Sequence, residues 1–193
     1  MHASVKQPNI LKLDMAGQPG EWISIERAMT YYAKNLVAWE LGEKVCTYRG
    51  GVSRLSGETS LLTTASIISV KGEMIRSIEL SRDPLLDNES LFARDRQFCA
   101  YCGDTFTAKQ LSRDHVKPVC QGGEDEWVNV VTSCKGCNHR KAGRTPQQAN
   151  MELLYIPYTP NRYEHFILTN RRILADQMDY LKMKVDKKSR IFS

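Results

Sequence analysis

The chain has 193 residues, 41% of them hydrophobic and 25% charged, enough apolar content for a real core and for one domain with an accessory part. No apolar run approaches the ~18 residues of a membrane span, and the opening MHASVKQPNILKLDM lacks the continuous apolar core of a secretory signal, so a soluble cytoplasmic protein with reduced thiols is expected. The net charge of +5 is uneven: residues 1–93 sum to −1, whereas 94–145 and 146–193 carry +3 each, which suits a polyanionic partner on the later part without demanding one.

In chain order, NILKLD places Ile10, Leu11 and Leu13 in a strand-like run. PGEWISIERAMTYYAKNLVAW opens a helix with Ser24 as N-cap and Ala28, Tyr31 and Tyr32 on one face. SLLTTASIISV (60–70) is rich in β-branched residues and reads as a strand. Between them YRGGVSRLSGE reads as a glycine-rich solvated loop with two arginines, phosphate contact being the less favoured role. Pro84 bars a helix through the next stretch, and NESLFARDR makes a short one from Asn88. After a proline-marked linker, a helix of about twenty residues runs from Glu164 to Val185. Its stripe of Ile167, Leu174 and Leu181, widened by Ile173, Met178 and Val185, is read as docking on the protein's own core ahead of a dimer seam, because Asn170 and Gln177 interrupt it. The tail KMKVDKKSRIFS is a solvated basic end within reach of phosphates.

Four of the six cysteines form two CxxC pairs, Cys99/Cys102 and Cys134/Cys137. In a reducing compartment the pairs read as knuckles of one tetrahedral four-cysteine zinc site, a structural staple that adds on the order of 10 kcal/mol to folding and does no chemistry. Cys46 and Cys120 remain as partly buried small side chains. The 31 residues between the knuckles must fold. LSRDHVKPV (111–119) is a strand ending at Pro118, QGGEDE a turn reversed by Gly122 and Gly123, and WVNVVTSC (127–134) a second strand with Trp127 in the core beneath. The second knuckle leads into a helix carrying CNHRKAGR, ended by Gly143, and TPQQ starts another, with Thr145 as N-cap, Pro146 at N1 and Gln148 completing a capping box. Asp114 and His115 therefore lie on the first strand, Asn129 on the second, and Asn138 and His139 on the helix, while His2 and His165 stand outside this constellation.

The pattern DHVKP…GG…WVNVV…C..CN.RK.GRTP closely resembles the HNH endonucleases, over about residues 92–150. More loosely, ILKLDMAGQP, a short helix and LFARDRQFCAYCG, in that order, are similar to the N-terminal half of a bacterial branch of that family. The resemblance implies an α+β protein: a small α/β N-terminal region (1–84), a zinc-stapled ββα-metal nuclease core (85–150), and a linker with a C-terminal amphipathic helix (151–193). It implies hydrolysis of DNA phosphodiesters, with His115 as general base, Asp114 and Asn138 as ligands of a catalytic Mg2+ or Mn2+, and Asn129 fixing the hairpin and the orientation of the base. Histidine suits the base because an imidazole titrates near neutrality.

CNH offers two candidates for the helix ligand. The register set by Cys137 favours Asn138, and His139 projects about 100° further round the helix, where it packs, meets phosphate or takes a softer ion such as Zn2+ or Ni2+. Arg113, Lys117, Lys135, Arg140, Lys141 and Arg144 flank the site as phosphate contacts, their alternative being ordinary solvated charges. DNA is the expected partner, RNA is left open, no membrane is involved, and a homodimer through the C-terminal helix is a further reading. The competing functions are a non-cleaving zinc-containing nucleic-acid-binding module and a scaffold for a protein partner. Pure binding needs none of Asp114, His115 and Asn138, so their joint presence favours the nuclease.

Overall fold

A computed structural model gives the fold of residues 7–52, 54, 57–72, 83–186 and 189–192. The chain divides into two compact units, Met1–Arg82 with Asn170–Lys184, and Asp83–Thr169 with Val185–Ser193. Among the described residues no helix is long and apolar enough to cross a membrane.

The first unit is built on β1 (Ile10–Leu13), β2 (Pro19–Ile23), α1 (Ile25–Ala33), β3 (Val37–Val52) and β4 (Thr59–Val70), in the sheet order β2-β1-β4-β3. β1 is antiparallel to β2 and parallel to β4, and all four of its residues are buried. Ile10, Ile23, Ile68 and Val70 form a core with Ile25 and Ala28 of α1. Ser24 caps that helix as expected, its Oγ accepting Arg27 N–H at 3.3 Å.

The glycine-rich loop is shorter than its sequence suggests, because residues 48–52 continue β3. Thr47 and Thr63 share a hydroxyl hydrogen bond at 3.0 Å across the ladder, and Ser60 Oγ donates to Gly51 O at 3.3 Å. A Cβ on Gly50 would overlap Ser60 Oγ, so that glycine serves a close approach of two strands and not a turn. Arg54 is exposed, and Ser53, Leu55 and Ser56 lie outside the described residues, as do His2, Lys187 and Lys188.

In the second unit α2 (Asn88–Arg94) is capped by Asp87, whose Oδ1 accepts Ser90 N–H at 2.7 Å. β5 (Leu111–His115) and β6 (Val130–Cys134) pair antiparallel, from Leu111 opposite Cys134 to His115 opposite Val130, and α3 (Lys135–Lys141) follows β6 without a break. β5 ends at His115 instead of Pro118, and β6 begins at Val130 instead of Trp127. All five β6 residues are buried because successive side chains enter different cores. Val130 joins Leu91, Phe92, Leu111 and Trp127; Val131 joins Ala100, Tyr101 and Met151 beside the cysteines. The helix expected from Thr145 is a single capped turn: Thr145 Oγ1 accepts Gln148 N–H at 3.2 Å and Gln148 Oε1 accepts Thr145 N–H at 2.8 Å, but the chain leaves the helical path by Asn150, with φ +51°.

The C-terminal helix is also broken in two, α4 (Arg162–Thr169) and α5 (Ala175–Lys182). Thr169 Oγ1 bonds back to His165 O at 3.0 Å, and Asn170 Oδ1 takes Arg172 N–H at 3.2 Å, local bonds that compete with helix propagation. A fresh start is then capped by Gln177 Oε1 on Leu174 N–H. The two halves belong to different units, Ile167 being buried in the second and Leu181 in the first, so the stripe from Ile167 to Leu181 does not lie along one helix. In α5 the buried Gln177 amide donates to Asn9 O and Ser66 O at 2.9 and 2.8 Å, tying the helix to the sheet.

Arg94 organises the second unit. It is 1% exposed, and all five guanidinium N–H groups are engaged: two on Asp95 (2.8 and 3.1 Å), and one each on Trp127 O, Tyr158 O and Val130 O (2.8–2.9 Å). The rings of Trp127 and Tyr158 lie 5.3 and 5.4 Å from its centre. Asp95 Oδ2 also accepts Thr132 N–H at 2.8 Å. Removing one member of a buried pair strands the other, so Arg94→Ala is expected to cost about 3–5 kcal/mol in urea unfolding followed by tryptophan fluorescence, with Arg94→Lys restoring only part.

Candidate active site

The four knuckle sulfurs lie within 4.8 Å of one another. A tetrahedral ion with bonds of ~2.3 Å needs sulfurs ~3.8 Å apart, so the set fits one such ion. The folds around it are tight turns: Gly103, at φ +80°, sends its N–H to Cys99 O at 3.1 Å, and Cys134 Sγ caps α3 by accepting Cys137 N–H at 3.3 Å. Burial opposes ionisation of Cys99, Cys102 and Cys137. At Cys99 the N–H groups of Cys102, Cys134 and Tyr101 outweigh it and bring the thiol down to about 7. Burial and the nearby Cys99 push Cys102 up to about 11, and burial with Cys134 raises Cys137 further. A divalent cation beside these three sulfurs would relieve both penalties. The two unpaired cysteines differ: Cys46 is half-buried in β3, whereas Cys120 is exposed, contrary to expectation, with its Sγ 3.6 Å from Gly143 O.

β5 presents Asp114 toward the knuckle and α3. Asp114 is 5% exposed; its Oδ2 accepts the Tyr101 hydroxyl at 2.5 Å and its Oδ1 accepts Lys141 Nζ at 3.0 Å. Burial and the adjacent carboxylate raise the Tyr101 hydroxyl well above the ordinary phenol range, so it remains a donor. Lys141 also donates to His115 O at 2.8 Å and is 1% exposed. It is thus no surface contact for a nucleic-acid backbone, which corrects the sequence expectation: its position in the last turn of α3 faces the strand.

His115, the next residue, turns its ring the other way, and its Nε2 is 2.8 Å from Asp125 Oδ1. Arg113 reaches the second oxygen of the same carboxylate at 2.5 Å and is half-buried, so it too is engaged within the protein. Asn138 donates its amide to Ser112 Oγ and Arg113 O at 2.9 and 3.1 Å, which seats α3 on β5. His139, one position on, is exposed.

Asn129 clamps the loop between the strands. Its Oδ1 accepts Lys117 N–H at 2.9 Å, while its amide donates to Lys117 O and Glu124 O at 3.1 and 2.8 Å. Both glycines of the loop are required, Gly122 for its φ of +79° and Gly123 because a Cβ there would run into Lys117 O. Lys117, Lys135 and Arg140 are exposed; Arg144 is exposed but spends Nε on Lys141 O and Nη2 on Arg140 O, closing the end of α3. Sequence reasoning missed Tyr101 and Asp125. The first lies between the cysteines of the first knuckle and the second among the acids of the QGGEDE turn, and only the tertiary contacts show what each touches.

Residues 99–154 match the family model described as HNH endonuclease, so the resemblance read from the motif holds for this stretch. No curated protein matches the chain.

Two measurements check the geometry. Atomic emission should find one zinc per chain, and Cys102→Ser should lower both zinc retention and melting temperature; full retention in the variant would remove Cys102 from the ligand set. Gly123→Ala should cost about 1–3 kcal/mol in denaturant unfolding, because the backbone at Lys117 must move to admit the methyl.

Proposed function

We propose that the second unit is an HNH-type nuclease core that hydrolyses DNA phosphodiesters, with His115 as general base. The observation that carries the reading is the meeting of β5 and α3 within the family-matched stretch: Asn138 is bonded to β5 beside Asp114 and His115, and the four cysteines gather at the start of that helix. The His115 side chain is 25% exposed, open enough for water and substrate yet held by a partner.

Asp114 and Asn138 supply a carboxylate and an amide oxygen, hard donors that suit Mg2+ or Mn2+. A divalent ion bound there supplies charge stabilisation for the phosphate and the leaving oxygen. Its binding to Asp114 must share or displace the hydrogen bonds from Tyr101 and Lys141. In this reading His115 takes the proton of the attacking water, Asn129 fixes the loop that follows it, and the exposed Lys117, Lys135 and Arg140 neutralise phosphates along the strand. Zinc on the cysteines holds the frame and takes no part in the reaction.

The prior engagement of Asp114 is the one observation that favours a second reading, a module that binds nucleic acid without cutting it. Cleavage of supercoiled plasmid separates the two. With Mg2+ or Mn2+ the wild type is expected to nick first, since one chain holds one site, and EDTA should stop it. His115→Ala should lose ~10²-fold or more while retaining zinc. Binding without cleavage of plasmid, branched DNA or RNA would instead select the non-cleaving module.

A further inference from the structure

We infer that Asp125 is the positioning residue that fixes the His115 ring, so that Nδ1 is the atom that accepts the proton; this rests on the reading of His115 as general base. The two oxygens of Asp125 are divided between two side chains of β5, Oδ1 meeting His115 Nε2 at 2.8 Å and Oδ2 meeting Arg113 Nη1 at 2.5 Å. Arg113 and His115 are two residues apart on one strand and therefore leave the same face, where one carboxylate spans both. Slight burial opposes ionisation of Asp125, but the bonds from Arg113 and His115 outweigh it and hold the carboxyl below its usual range. An ionised carboxylate only accepts, so Nε2 carries the hydrogen. Among the described residues no protein group bonds Nδ1, which leaves its lone pair free.

Arg113 gives the carboxylate a fixed address. Its Nε donates to Asn88 Oδ1 at 3.1 Å and its Nη2 to Leu86 O at 3.5 Å, so Asp125 is held to the segment leading into α2 as well as to β5. The loop that carries Asp125 is fixed on either side by Gly123 N–H on Pro118 O at 3.0 Å and by the Asn129 clamp. The Asp125 side chain is 53% exposed, and an ion pair so placed contributes little to folding. Its effect is therefore expected on the ring's tautomer and on turnover, more than on stability.

The experiment has two arms on the full-length protein. In the first, nitrogen-15 NMR of the histidine rings, without DNA, reads the tautomer of neutral His115. The wild type should be predominantly Nε2–H, and Asp125→Ala should lose that preference. In the second, plasmid nicking with Mg2+ is followed for the wild type, Asp125→Ala, Asp125→Asn and Asp125→Glu. For Asp125→Ala and Asp125→Asn, kcat should fall about 10–100-fold with KM little changed and with zinc content and melting temperature retained, while Asp125→Glu should recover part of the loss. A wild-type ring in the Nδ1–H form, or undiminished kcat in Asp125→Ala, overturns the proposal alone. A wild type that cuts no substrate overturns the general-base reading and the proposal with it.

Discussion

A guanidinium with every N–H group spoken for sits at the centre of the second unit, and the geometry of the site descends from it. Three of the five partners of Arg94 are backbone carbonyls, two of them at or just before the start of β6, and Asp95 takes a backbone N–H farther along the same strand. Burying that charge without partners would be prohibitive, and five fixed donors leave the surrounding backbone few alternative positions. β6 sets the register of β5 and launches α3. The placement of Asp114, His115 and Asn138 is thus inherited from a residue that touches none of them.

Around that anchor the site separates two kinds of polar group. On one side of β5, Asp114 and Lys141 neutralise each other almost out of contact with water, with Tyr101 linking them to the first knuckle. On the other side, His115, Arg113 and Asp125 stay within reach of solvent, joined through one carboxylate. Successive residues of a strand point to opposite faces, and here that alternation assigns a buried electrostatic anchor and an accessible titratable ring to neighbouring positions.

Much of this was legible in the sequence where the signal was local. Paired CxxC knuckles announced a metal set, the DHVKP–GG–WVNVV run announced two strands and a reversal, and Ser24 announced a helix start. The misses share a cause in tertiary context. Gly50 and Gly51 read as a loop because their pairing in β3, and the close approach of Ser60 to Gly50, are invisible in sequence. The stripe from Ile167 to Leu181 read as one helix because its periodicity outweighed the local bonds of Thr169 and Asn170. Lys141 read as a surface cation because nothing in a helix pattern says that a lysine's partner lies across a strand. Asp125 lay in a turn of three consecutive acids, where the choice among them depends on the exit direction of two β5 side chains.

The spacing of the knuckles also shapes how the second unit forms. An ion held by all four sulfurs would close a segment of 31 residues, and Ala100 N–H on Thr132 O at 2.8 Å already lays the first knuckle against β6, the strand that leads into the second. The hairpin, closed by a loop built on Asn129 and the two glycines, is the more local event and meets the smaller closure entropy. An ion on the complete set would then seal a framework whose more local pairing is the hairpin. Loss of such an ion would release the two knuckles from each other and leave in place the Asn129 clamp that closes the hairpin.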